Sequence, residues 1–122
     1  GHDVGDRVLK EVSKVVVDSV RESDIVVRYG GEEFMVLLID VQNGKSEEVA
    51  EKIRQAVEKH DIEISGRSLK KTVSIGVVEF PSDCDKIWQC IKFADVALYR
   101  AKEAGRNRVV RFKPEFWKED QY

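Results

Sequence analysis

The sequence has little cysteine, no long apolar run and no excess of basic charge, and each shortage removes a class of function. Only Cys84 and Cys90 are present, with no CxxC pair and no second cluster, so no zinc site is readable. A disulfide between them is one reading, but two reduced thiols are expected of an intracellular domain. The longest apolar run, Phe34 to Ile39, is far short of the roughly 20 residues that span a bilayer. Twenty-one basic residues against 23 acidic ones leave a net charge of -2, without the basic excess of a general nucleic-acid binder. Nothing at the start reads as a secretory segment, and the first residue is Gly1 rather than Met, so a piece of something longer is expected. There is no internal repeat, linker or low-complexity stretch.

What remains is one globular domain: 122 residues, 14.0 kDa, 42% hydrophobic and 36% charged. Val8, Leu9, Val12, Val16 and Val20 recur at helical spacing from Asp3 or Gly5 to about Arg21–Ser23. Ile25–Tyr29 and Phe34–Asp40 read as strands joined at Gly30-Gly31, a β-hairpin. The second is nearly all apolar, as in a central strand covered on both faces. Ser46 begins a helix with Val49, Ile53, Ala56 and Val57 on one face. Ile62 and Ile64 mark a short strand, Ser65-Gly66-Arg67 a turn, and Thr72–Phe80 a longer strand stopped by Pro81. Asp85 is the expected N-cap of a helix carrying Ile87, Ile91, Ala94, Leu98 and Ala101, with Gly105 at its left-handed end. Val109–Phe112 is a last strand, and Pro114 begins a polar tail. The order predicts an α/β sandwich with an antiparallel hairpin inside it.

The chemistry-bearing turn is Gly30-Gly31-Glu32-Glu33-Phe34. Two glycines let a phosphate approach the backbone with no Cβ in the way, and paired carboxylates suit a divalent cation. Taken alone, the same residues are more readily a solvated hairpin turn. Asp6 alone reads as an acidic residue favouring the first turn of a helix, and Lys102 and Arg106 as basic residues suiting a helix end. Arg21 and Asp24, three apart, would ordinarily be a solvated pair.

Four separated motifs alter those readings together. They are Gly1-His2-Asp3-Val4-Gly5-Asp6, Arg21-x-x-Asp24, Arg28-Tyr29-Gly30-Gly31-Glu32-Glu33-Phe34, and Ala94-Asp95-Val96-Ala97-Leu98-Tyr99-Arg100-Ala101-Lys102 through Gly105-Arg106-Asn107. In this order, with Ser74-Ile75-Gly76-Val77 between them, they resemble the GGDEF family of diguanylate cyclases in its GGEEF variant. The resemblance covers residues 1 to about 112, leaving 113–122 as a C-terminal tail. It implies a nucleotidyl-cyclase or palm-like α/β fold with a central, mostly antiparallel sheet flanked by helices. It implies condensation of two GTP into cyclic di-GMP and pyrophosphate, with a site assembled between two protomers of a homodimer.

By the same resemblance, Gly30 and Gly31 lie against GTP phosphates. Glu32 is the candidate base for the ribose 3′-hydroxyl and Glu33 a ligand of magnesium (or manganese), with the division between the two carboxylates left open. Asp6 reads guanine, whose N1–H and N2–H donors a carboxylate accepts. Lys102 and Arg106 hold phosphates, and Arg28 is a further cation beside the turn. Asn107 is read only as a helix terminator, and Asp95 receives no catalytic task. Arg21 and Asp24 match the family's inhibitory site for cyclic di-GMP.

The family's domain normally begins with a strand and helix before this chain's first residue. The expectations are therefore a truncated domain, inactive as a fragment, from a cytoplasmic or membrane-anchored parent with an upstream regulatory domain. The alternative reading is a non-catalytic module that binds GTP or cyclic di-GMP.

Overall fold

The computed structural model describes residues 2–120. Helix α1, His2–Asp18, buries Val12 and Val16 and leans Val8 and Val15 on the same core. Its many valines are poor helix formers, so burial of one face holds it more than propensity does. Strands β1 (Ile25–Gly30) and β2 (Glu33–Leu37) pair antiparallel, from Ile25 opposite Leu37 to Arg28 opposite Phe34, with an irregularity before Gly30 meets Glu33. Strand alternation sends Val26, Arg28, Phe34 and Val36 to one face. Val26, Phe34 and Val36 pack against the α1 core there, while Ile25, Val27 and Tyr29 stay exposed.

Helix α2, Ser46–Lys59, buries Ala50 and places Ile53 and Val57 in that core, beside Ile62 and Ile64 of β3 (Ile62–Ile64). Strand β4, Arg67–Leu69, returns antiparallel to β3 across the Ser65-Gly66 turn. Strand β5, Ile75–Val77, runs parallel to β6, Val109–Arg111. Between them lies α3, Ile87–Glu103, crossing so close that a Cβ on Gly76 would strike the Ala94 carbonyl and the Leu98 backbone. A second core gathers Cys84, Cys90, Phe93, Ala97 and Phe112, with the Phe93 and Phe112 rings stacked at 4.1 Å. The α/β class thus holds, with the strands in three two-stranded ladders, two antiparallel and one parallel.

Several elements differ from expectation. Strand β2 ends at Leu37, and Phe34–Leu37 are half-buried rather than covered on both faces, because one face meets α1 and the other is open. The Thr72–Phe80 strand contracts to Ile75–Val77, and β4 begins at Arg67, where the sequence reads as a turn. Lys86, not Asp85, stands at the N-cap of α3 without a side-chain cap, and the Asp85 amide donates to Gln89 Oε1 at 3.4 Å. Pro114–Asp120 form a short helix, α4, whose Phe116 and Trp117 lean on the second core. Cys84 and Cys90 are not free thiols but a disulfide. The first turn of α3 brings their Cα atoms to 5.6 Å, within reach of a bridge, which a six-residue spacing does not reveal.

The start of α2 is capped from far away. Glu79 accepts from the amide of Gly44 at 2.9 Å and of Ser46 at 3.3 Å, and from the Ser46 hydroxyl. Burial alone would raise this carboxyl, but those bonds and nearby Arg111 bring it below its ordinary value. Arg111 also holds Asp83 through two bonds of 3.0 Å.

Candidate functional site

The hairpin turn is built for close approach. Gly31 takes a φ of +50°, a left-handed conformation that glycine adopts without steric cost. A Cβ at Gly30 or Gly31 would meet nothing within 4 Å, so this stretch of backbone is open to a ligand. Arg28 folds over the turn and donates to the Gly31 carbonyl from Nε at 3.0 Å and Nη2 at 2.7 Å. It is therefore fastened to the turn rather than an idle surface charge. Glu32 and Glu33 are both exposed beyond it.

Asp6 and Arg28 line one cleft of about 430 Å³ between α1 and the hairpin, floored by Leu9, Val26 and Phe34. Lys10 and Ser13, which follow Asp6 on the same face of α1, join its wall. Glu32, Glu33, Lys102 and Arg106 are not part of that lining. Helix α3 carries Lys102, with Arg106 just beyond its end. Partial burial raises the Asp95 carboxyl, Glu33 raises it further and Lys102 opposes them. Asp95 stands seven residues before Lys102, on the same face of α3.

Lys102 lies in the last turn of α3, and the helix closes in a Schellman arrangement. Gly105, at φ +124°, donates to the Lys102 carbonyl at 3.3 Å, and the Arg106 amide donates to the Ala101 carbonyl at 3.0 Å. Arg106 and Lys102 are exposed within one turn of each other.

Arg21 and Asp24 form a separate constellation between α1 and β1. Arg21 Nη2 lies 3.2 Å from Asp24 Oδ1, the Arg21 amide donates to Oδ2 at 2.9 Å, and the Ile39 amide donates to Oδ1 at 2.9 Å. Arg21 also reaches the Ile39 carbonyl. The Arg21 guanidinium first, and the Ile39 amide next, hold the Asp24 carboxyl at about 2. The Asp24 side chain is only 2% exposed, whereas Arg21 is 55% exposed and presents its outer edge to solvent.

Among the described residues no group of three histidine, cysteine or acidic side chains converges as a cation cage. Glu32 and Glu33 nonetheless offer the hard oxygen donors that magnesium takes. That ion commonly binds through one or two carboxylates, with water and substrate phosphates filling its shell. The donor set fits a nucleotide-borne magnesium ion rather than an all-protein site.

The family model described as "Diguanylate cyclase, GGDEF domain" matches residues 1–108. Diguanylate cyclase A of Treponema denticola is 42% identical over 113 residues, 93% of this chain and 30% of its own length. The chain spans between a quarter and a third of such curated relatives. The isolated GGDEF domain of YfiN (TpbB) from Pseudomonas aeruginosa superposes with a TM-score of 0.89 at 29% identity, over 96% of this chain and 69% of that one. The GGDEF domain of DgcB from Caulobacter crescentus, solved in complex with c-di-GMP, gives 0.79 at 30% identity, over 91% and 66%.

Proposed function

The chain belongs to the GGDEF family of diguanylate cyclases, and from that membership we propose that it condenses two GTP molecules into cyclic di-GMP with release of pyrophosphate. The observation that supports this reading best is the open Gly30-Gly31 turn, fastened by Arg28, with two exposed carboxylates beside it. Phosphoryl transfer asks a protein for positioning and charge neutralisation more than for covalent chemistry, and these residues supply both.

In this reading the guanine enters the cleft between α1 and the hairpin, where the Asp6 carboxylate accepts from N1–H and N2–H. The triphosphate runs along the glycine turn toward Lys102 and Arg106, whose cations offset its charge. Arg28 keeps the turn in its left-handed shape by holding the Gly31 carbonyl. Glu32 takes the proton of the ribose 3′-hydroxyl, and that oxygen attacks the α-phosphorus of a GTP held by a second protomer. The bond to the bridging oxygen breaks and pyrophosphate leaves; the reciprocal step closes the ring. Glu33 would hold magnesium, which when bound neutralises phosphate charge. A pair of facing protomers is required because one chain carries one such half-site.

Arg21 and Asp24 would bind the product, with the exposed guanidinium edge forking onto phosphate or the guanine Hoogsteen edge. About 3.3 Å per residue along β1 puts this site roughly 20 Å from the glycine turn. Product there acts by keeping two half-sites apart rather than by blocking one.

The test is to measure cyclic di-GMP and pyrophosphate released by the complete gene product with Glu32→Gln and with Glu33→Gln, checking folding by circular dichroism. Each change keeps shape and removes charge, so turnover should vanish while the fold stays. Near-normal synthesis by both variants would sink the assignment. An unmodified protein that binds GTP and cyclic di-GMP without releasing pyrophosphate would establish the binding-module reading in its place.

A further inference from the structure

The segment after α3 takes a costly shape. Gly105 is followed by Arg106 at φ +64° and Asn107 at φ +50°, two consecutive side-chain-bearing residues in the left-handed region. Such residues occur singly and need surroundings that hold them. The hold here comes from α2. Arg54 Nη1 donates to Asn107 Oδ1 at 2.9 Å, and Asn107 Nδ2 donates to Glu58 Oε2 at 2.6 Å. Arg54 is fixed in turn by Glu51, through bonds of 2.8 and 2.6 Å, and by Glu58 at 3.3 Å. The Asn107 amide donates to Ser74 Oγ at 3.1 Å, and Arg108 donates to the Arg106 carbonyl at 3.0 Å. Both faces of the Asn107 carboxamide are thus used, one accepting and one donating, across 49 to 53 residues of sequence.

We propose that Asn107, clamped by Arg54 and Glu58, is a positioning residue that fixes where Arg106 stands relative to Lys102 and so sets the affinity for the nucleotide triphosphate. The proposal rests on the reading of Lys102 and Arg106 as phosphate contacts. The shape of the segment alone requires only a residue tolerant of the left-handed region, and glycine meets that need. What asparagine adds is a side chain with a donor and an acceptor on opposite edges, matched to the carboxylate and guanidinium that face it. Arg54 is 15% exposed and its two acids about 40%, outside both apolar cores. Loss of the clamp therefore frees the segment more than it unfolds the protein.

The discriminating variant is Asn107→Gly, which keeps the backbone conformation and deletes the clamp. Glu58→Ala deletes it from the α2 side without touching the segment. In the complete gene product each should raise KM for GTP by about ten- to a hundredfold, the usual cost of misplaced positioning groups. Each should weaken a non-hydrolysable GTP analogue equally by calorimetry and leave kcat far less changed. Cyclic di-GMP binding at Arg21 and Asp24, and the melting temperature, should stay near those of the unmodified protein. Glu58→Gln, which retains an acceptor for Asn107, should restore most of the affinity. Normal GTP affinity in Asn107→Gly, beside a large loss in Lys102→Ala, would overturn the clamp and leave the proposed function standing. Normal affinity in both would remove the phosphate reading, and the clamp with it.

Discussion

Replacing Asp24 by asparagine should cost stability in a pH-dependent way that the structure allows to be worked out. The side chain is 2% exposed, accepts from the Arg21 guanidinium and the Ile39 amide, and has its pKa lowered from 3.8 to about 2. At about 1.36 kcal/mol per pH unit, that shift sets a ceiling of about 2.4 kcal/mol. Arg21 is more than half exposed, so solvent screening reduces the expected value to about 1–2 kcal/mol. Because the folded pKa lies below the unfolded one, this stability is fully present above pH 4 and drains as pH falls from about 4 toward 2. Urea unfolding of the chain and of Asp24→Asn, at pH 7 and at steps down to about pH 2.5, gives the difference directly. The gap should be widest at neutral pH and close on acidification. Glu51, also held at about 2 by Arg54, loses its charge in the same window, but it is common to both proteins and cancels. A gap that is constant over the whole range, or absent at pH 7, would refute the reasoning.

Arg21→Ala in the complete gene product should weaken cyclic di-GMP binding about ten- to a hundredfold, the loss of one charge-assisted bidentate contact of roughly 1.5–3 kcal/mol. Calorimetry alongside initial rates would read relief of inhibition with little change in the uninhibited rate; unchanged product affinity would make Arg21-x-x-Asp24 a chance surface pair. Asp6→Ser should relax the preference for GTP over ATP, since a hydroxyl both donates and accepts; equal rates with both nucleotides in the unmodified enzyme would remove Asp6 from base reading. Gly76→Ala should destabilise by at least about 1–3 kcal/mol, because the new methyl meets backbone of α3 that cannot rotate away. Thermal unfolding checks it, and an unshifted midpoint would mean that α3 does not sit this close to β5.

Much of the fold was legible wherever local chemistry decides it. Gly30-Gly31 announced the hairpin, the valine spacing announced α1, and Gly105 marked the end of α3 because only a left-handed residue completes its cap. The candidate site residues, by contrast, were named from short motifs through a family resemblance and not from a local folding rule. What was not legible depends on partners far apart in sequence. Asn107 looked like a helix terminator because Arg54 and Glu58 lie on another helix. Asp85 is a good capping residue by type, yet the chain enters α3 one residue later, at Lys86. Strand β4, Arg-Ser-Leu, has no apolar alternation to reveal it and exists because β3 offers an edge. The short helix at Pro114 follows from Phe116 and Trp117 finding the Phe93–Phe112 stack, which no window of sequence contains.

The remote cap of α2 also bears on how the chain acquires its structure. A helix normally carries its starting signal just ahead of itself, so its first turn is complete as soon as it is synthesised. Here the acceptor for the Gly44 and Ser46 amides is Glu79, which follows Ser46 by 33 positions. While the nascent chain has not yet reached that residue, the first turn of α2 keeps donors that only water can serve. Helix α2 and the strand–loop around β5 are thereby made to mature together, and withdrawal of Glu79 from α2 later in the life of the protein should expose the same amides. Hydrogen exchange at Gly44 and Ser46 would then report on a loop that is distant in sequence and adjacent in space.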